Sequence, residues 1–325
     1  MLRWRGLADL PGNWGRCVVT IGVFDGVHRG HQELIRRTVE VARERGLPSV
    51  VLTFDPHPSE VLRPGSHPAQ LTSLRRKAEL VEALGVDVFA VLPFTLELSR
   101  VTAHEFVHEI LVDRLHVAVV LVGENFTFGA KAAGDINLLR TLGKRFGYVA
   151  YGAELQGASM RGGRAGGEDL AAEITYSSTY VRSCIDAGDV NAAAAALGRP
   201  HRIEGIVVRG DGRGHELGFP TANLSTPRFA AVPADGVYSC WFTCSTRPGE
   251  LLPAAVSVGS NPTFSGRERS VEAFVIDVDE DFYGQYVSLD FVARLRDMER
   301  FTSVAELVEQ IDNDVKQTRE ILGVS

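Results

Sequence analysis

A chain of 325 residues, 45% hydrophobic and 23% charged, is long enough for two domains with separate cores. Its formal charge of −7 at pH 7 supplies no general pull toward nucleic acid or an anionic membrane. No apolar run approaches the ~20 residues of a membrane helix, and the opening "MLRWRGLADLPGNW" lacks the apolar core of a secretory signal.

From residue 17 to about 153, short apolar runs alternate with amphipathic segments. The runs are "CVVTIGV" (17–23), "SVVLTF" (49–54), "VDVFAVL" (86–92), "VAVVLV" (117–122) and "YVAYGAEL" (148–155). Runs so continuously apolar suit strands covered on both faces of a parallel sheet. Between them, "HQELIRRTVEVARERG" spaces Leu34, Ile35, Val39 and Ala42 at helical intervals. "TAHEFVHEILVDRL" opens with Thr102 and Glu105 at capping-box spacing. The alternation predicts a doubly wound parallel sheet, with ligands beyond the carboxyl ends of its strands.

A Gly-rich segment, "GASMRGGRAGGED" (157–169), reads as a mobile loop, followed by a helix near Thr179 and another over "VNAAAAALG" (190–198). From about 201 to 294 the texture changes to short strands between Gly/Pro turns, the pattern of an antiparallel barrel or sandwich. A helix over roughly 303–322 closes the chain. No internal repeat is found, and the expected domains are 1–186 and 187–325. Cys17, Cys184, Cys240 and Cys244 are too few and scattered for a disulfide framework, and "VYSCWFTC" has no second ligand pair for zinc, so a cytoplasmic location is expected.

The stretch "GVFDGVHRGH" puts His28 and His31 where the first apolar strand gives way to the first helix. Free N–H groups and the helix dipole make that junction an anion site, and Gly22, Gly26 and Gly30 allow close backbone approach. Two imidazoles there can donate hydrogen bonds to charge developing on a phosphoryl group. In "YSSTYVR", Ser177, Ser178 and Thr179 offer cap hydroxyls at a helix start, with Arg182 in the first turn beyond; the same letters also suit an ordinary helix cap. "VGENFTFG" (122–129) brings Asn125, Phe126 and Phe128 after the fourth strand, and "TFDPHP" (53–58) follows the second in the same way.

In the second half, Gly210, Gly212 and Gly214 form a loop able to close over phosphates, with neither the P-loop nor the Rossmann spacing. "GFPTAN" then sets Thr221 and Asn223, two hard oxygen donors, one residue apart, as Mg²⁺ accepts. Glu272 stands in the otherwise apolar "SVEAFVID", where an ionised carboxylate needs a partner, a role or a solvent-facing edge.

The combination resembles the HxGH-type nucleotidyltransferases. "GVFDGVHRGH", "TFDPHP", "VGENFTFG" and "SSTYVR" are similar to the adenylyltransferase half of bacterial bifunctional FAD synthetases. The resemblance implies that the terminal phosphate of FMN attacks the α-phosphorus of ATP and pyrophosphate departs. It implies that His28 and His31 bind the ATP phosphates and the transition state, with Gly22, Phe24, Gly30 and Asn125 in the nucleotide site. Ser177, Ser178, Thr179 and Arg182 would hold the triphosphate. A phosphate nucleophile is already anionic at neutral pH, so placement and charge stabilisation are needed rather than a general base.

"LGFPTAN", "SVGSNPTF" and "SVEAFVID", in that order, resemble the riboflavin kinase domain, a six-stranded barrel. This second likeness implies that Gly210, Gly212, Gly214, Gly218 and Pro220 bind ATP, that Thr221 and Asn223 hold Mg²⁺, and that Arg296 in "RLRDMERF" contacts the flavin. Glu272 would accept the proton of the riboflavin hydroxyl, since an alcohol must lose a proton to become a phosphoester. The expected partners are riboflavin, FMN and ATP, with FMN and FAD as products, no nucleic acid and no membrane; the oligomeric state is open between monomer and transient oligomer. H-x-G-H alone leaves a different phosphate acceptor open, and a flavin- or nucleotide-binding regulator without turnover is the reading of another class.

Overall fold

The computed structural model describes residues 1–11, 14–153, 157–159, 173–210, 219–260 and 269–324. The chain divides into two compact units, Met1–Pro68 with Leu74–Ser177, and Ala69–Ser73 with Ser178–Ser325.

The first unit is built on a six-stranded sheet whose pairings are all parallel. The strands are β1 (Leu2–Arg5), β2 (Cys17–Ile21), β3 (Ser49–Asp55), β4 (Val88–Pro93), β5 (Val117–Gly123) and β6 (Val149–Ala153), in spatial order β1-β4-β3-β2-β5-β6. Every residue of β2 and β5 is buried, as the uninterrupted apolar runs require of strands covered on both faces. The edge strand β1 is not among the predicted elements. Only Trp4 of "LRWR" is buried, so so short and polar a run carries no strand pattern; Trp4 meets Trp14 edge-on at 4.7 Å.

Helix α1 (Arg29–Glu44) buries Leu34, Ile35, Val39 and Ala42, the face its spacing predicts. After α2 (Pro58–Leu62) and α3 (Leu74–Glu82) comes α4 (Ala103–Glu105), where the capping box is present in both directions. The Thr102 hydroxyl accepts from the Glu105 amide at 3.2 Å, and the Glu105 carboxylate accepts from the Thr102 amide at 2.8 Å. The expected regular helix then widens into a π-helical stretch, Phe106–Val112. Helix α5 (Ile136–Phe146) precedes β6.

The segment expected as a loop over 157–169 opens with a strand: β7 (Gly157–Ser159) pairs antiparallel with β8 (Glu173–Thr175). The glycine-rich stretch 160–172 lies outside the described residues.

The second unit begins with α6 (Ser178–Asp186) and α7 (Val190–Leu197), so the helix carrying Thr179 and Arg182 packs with this unit. Six strands follow: β9 (His201–Val208), β10 (Ala222–Ser225), β11 (Gly236–Cys244), β12 (Leu252–Ser260), β13 (Arg269–Val275) and β14 (Tyr286–Arg296). They close into an antiparallel barrel in the order β10-β13-β12-β11-β14-β9, which decides between the barrel and sandwich alternatives. Tyr238, Phe242, Leu289 and Phe291 fill its interior. All four cysteines are free and buried, with Cys240 and Cys244 on the core side of β11. The C-terminal helix α8 (Val304–Leu322) matches its predicted span, capped by Ser303 and stopped by Gly323 in the left-handed region.

Candidate active sites

In the first unit the strand order reverses at β2, which has β3 on one side and β5 on the other. Open parallel sheets bind ligands beyond the carboxyl ends of the strands at this reversal. A cavity of about 740 Å³ opens there, with Gly22 from the end of β2 and Gly123 from the end of β5 in its wall. It brings together Gly22, Phe24, His31 and Asn125, all singled out from the sequence, with Phe126 and Phe128. Pro58 of "TFDPHP" and Phe54 also line it. Sequence reasoning missed Phe94 and Phe106, which complete the aromatic wall. They belong to no short motif; only the folded sheet brings them in.

The turn before α1 is tightly specified. Phe24 and Val27, both non-glycine, take positive φ of 51° and 41°, a conformation that persists only where the surroundings fix it. The Phe24 ring folds back over Gly22, where a Cβ would sit 3.1 Å from it. His28 is the N-cap of α1, and its Nδ1 accepts from the His31 amide at 3.4 Å. Its imidazole stacks on that of His31 with centroids 3.6 Å apart, and the Phe24 ring meets His31 edge-on at 5.2 Å. His28 is buried and His31 half-buried, so His31 faces the cavity while His28 backs it. Gly30 is buried in the first turn of α1.

The Nδ1 of His31 is buried without a hydrogen-bond partner. Burial first, then the neighbouring His28 and Lys77, hold its pKa well below the usual 6.5. A neutral ring can still donate one N–H to a phosphate oxygen. The folded chain therefore binds fewer protons here than the unfolded one, so His31 costs stability increasingly as pH falls below about 6.5.

Phe126 and Phe128 lie nearly parallel at 5.7 Å; Phe128 is buried against Phe106, and Phe126 is only partly covered. Gly129 has φ +73°, and a Cβ there would lie 2.5 Å from the Ala103 nitrogen. Gly129→Ala should therefore destabilise the first unit by more than about 1 kcal/mol, read as a lower denaturant midpoint. The carboxylate of Glu124 lies over Gly152, where a Cβ would be 2.2 Å away, and pairs with Arg140 at 3.1 Å.

Ser177 is the last residue of the first unit. Ser178 and Thr179 open α6, and Arg182 Nε donates to the Ala69 carbonyl at 2.6 Å, both within the second unit.

On the barrel, alternation sends Ala222 and Leu224 of β10 inward and Asn223 to the outer face. Val271, Ala273 and Val275 of β13 likewise point inward and Glu272 outward. Asn223 and Glu272 are directly opposite each other across the strand pair, with Ser257 opposite Glu272 on its other side. β13 is paired on both edges, and Glu272 is half-buried, so it is not an edge-strand glutamate in open solvent. Gly210 sits against Asn223, whose carboxamide fills the space a Cβ there would take. Gly210, Pro220 and Thr221 share a second cavity of about 390 Å³ with Asp279 and Asp281. Gly212, Gly214 and Gly218 lie outside the described residues. Arg296, at the end of β14, is clamped by Asp314 of α8 at 2.8 Å and donates to the Asp297 carbonyl at 3.1 Å.

The comparisons with known proteins cover both units. The FAD synthetase family profile matches residues 10–159 and the riboflavin kinase profile residues 197–322. A bifunctional riboflavin kinase/FMN adenylyltransferase of Escherichia coli K12 is 35% identical, covering 95% of this chain and 94% of its own. Its namesake from Pseudomonas fluorescens is 37% identical, covering 99% and 98%. A Streptococcus pneumoniae structure described as a macrolide-efflux protein superposes with a TM-score of 0.83 at 30% identity, covering 98% of this chain and 99% of its own. Among the described residues of this chain, no helix is long and apolar enough to cross a membrane. With two profiles in series and relatives alike over nearly their full length, the chain belongs to the bifunctional riboflavin kinase/FMN adenylyltransferase family.

Proposed function

We propose that ATP phosphates bind at His31 and the start of α1, that the flavin ring of FMN enters the aromatic cleft, and that Glu272 serves the riboflavin hydroxyl on the barrel. The chain makes FMN and ADP from riboflavin and ATP in its second unit, and FAD and pyrophosphate from FMN and ATP in its first. The observation that carries the site reading is one cavity uniting His31, Gly22 and Asn125 with apolar, aromatic walls. A flavin is a flat ring with a charged phosphate tail, and such a cleft suits both ends.

The two reactions ask for different groups. Phosphate on phosphate needs alignment and charge stabilisation, which the helix start and the paired imidazoles supply; Gly22, Phe24, Gly30 and Asn125 shape the cradle. His28 and His31 act there as hydrogen-bonding groups rather than as bases. The alcohol of riboflavin needs a base, and Glu272 lies across the strand pairs from Asn223 and Ser257.

The donors around Gly210 fit Mg²⁺. The Thr221 hydroxyl and the Asn223 carboxamide are hard oxygens, and the missing Cβ of Gly210 leaves the Asn223 amide its space. Mg²⁺ bound there would neutralise the triphosphate. Gly212, Gly214, Gly218 and Pro220 complete the ATP loop by the same likeness. Arg296, held by Asp314, is the flavin-side residue of the barrel. Four buried free thiols suit a reducing cytoplasm. Gly210→Ala should push the Asn223 amide aside and lower kcat/KM for riboflavin phosphorylation by up to about 10²-fold, while FAD formation from supplied FMN holds.

A time course with riboflavin, ATP and Mg²⁺, separating flavins by chromatography, tests the reading. FMN should rise first and be consumed into FAD. FMN that accumulates without FAD would give the first unit another phosphate acceptor.

A further inference from the structure

Lys77, in α3, is only 6% exposed, far less than a lysine ordinarily is. Its ammonium donates to the carbonyl of Val23 at 2.7 Å, and the Thr53 hydroxyl donates to the same oxygen at 3.1 Å. Val23 is the residue between Gly22 and Phe24, where the chain leaves β2 and enters the turn with positive φ at Phe24, Gly26 and Val27. A charged donor on that carbonyl fixes the peptide orientation that starts the turn. No catalytic duty described above uses Lys77, yet burying an ammonium without a task is costly.

We propose that Lys77 is a positioning residue for adenylyl transfer: its ammonium pins the Val23 carbonyl and so sets the turn that holds His28 and presents His31 to the cleft. The inference rests on the reading that these histidines serve FMN adenylylation. The charged and titratable groups around it come from four elements: Asp25 in the turn, His28 and His31 at the start of α1, Asp55 at the end of β3, and Lys77 itself on α3. Burial lowers the basicity of Lys77, while Asp25 and Asp55 oppose that and favour its charged form. The same charge adds to burial and His28 in keeping His31 unprotonated. One side chain thus orients the phosphate-binding turn and disfavours a second positive charge at its histidine.

The test is Lys77→Met in the full chain, which keeps an unbranched apolar stem and removes the charge. We expect kcat for FMN adenylylation to fall about 10²-fold, with KM for FMN changing far less. Riboflavin phosphorylation should stay at the parent rate. The His31 ring titration, followed by NMR, should move up, carrying the acid limb of the adenylylation pH profile with it. Lys77→Arg, which keeps charge and donors, should restore the low His31 titration. Adenylylation at the parent rate, or a loss with the His31 titration unmoved, would overturn the proposal. His31→Ala separates the two readings: if it stays active, the histidine assignment has failed, whereas an inactive His31→Ala beside an active Lys77→Met refutes the lysine's role alone. Should Lys77→Met not fold, the unaltered protein decides. Its Lys77 must show solvent-protected ammonium protons at neutral pH, and a neutral or freely exchanging amine there would contradict the proposal.

Discussion

His28→Ala should stop FAD formation while leaving FMN formation intact. His28 caps α1 through its Nδ1 and stacks on His31 at 3.6 Å, so its loss removes the surface on which the cavity-facing imidazole rests. Losing the placement of one preorganised hydrogen-bond donor in a transition-state site costs on the order of 10²–10³-fold in rate, and His31 without its stacking partner loses that placement. The cap itself contributes on the order of 1 kcal/mol to the helix, too little to unfold the unit. Flavin chromatography on this variant should show FMN accumulating at the parent rate. FAD appearing at the parent rate would remove His28 from the chemistry.

Glu272→Gln should do the converse. The substitution keeps the size and polarity of the side chain opposite Asn223 and Ser257 but removes the proton acceptor. A positioned general base contributes about 10²–10⁴-fold, so riboflavin phosphorylation should fall by that range. FMN supplied directly should still become FAD at the parent rate. A kinase rate within a few-fold of the parent would make Glu272 a structural partner of Asn223 and no base.

Much of this was legible in the chain itself. The buried strands of the first unit declare themselves because a sheet covered on both faces tolerates little but apolar side chains, and β2 and β5 are wholly buried. The Thr102–Glu105 capping box and the α1 face follow from spacing that has one physical reading. Strand β1 escapes because one buried tryptophan makes no period. Strand β10 escapes because it is four residues long, so its role in aligning Asn223 with Glu272 is visible only in the register. The histidines were legible as a motif, but their stacking, and the division of labour between a buried His28 and a cavity-facing His31, depend on three positive-φ residues in the turn. Lys77 was illegible for a general reason. A lysine on an amphipathic helix reads as solvated, and only the packed structure shows its ammonium turned inward to Val23.

The central claim is that one chain houses two separate reactions, each on its own unit. Mixing the His28→Ala chain with the Glu272→Gln chain, together with riboflavin, ATP and Mg²⁺, tests it most directly. The first chain should release FMN and the second should convert it, so FAD should appear after a lag although neither chain makes it from riboflavin at the parent rate. A mixture that yields FMN and never FAD, while each chain keeps its remaining activity, would contradict the account.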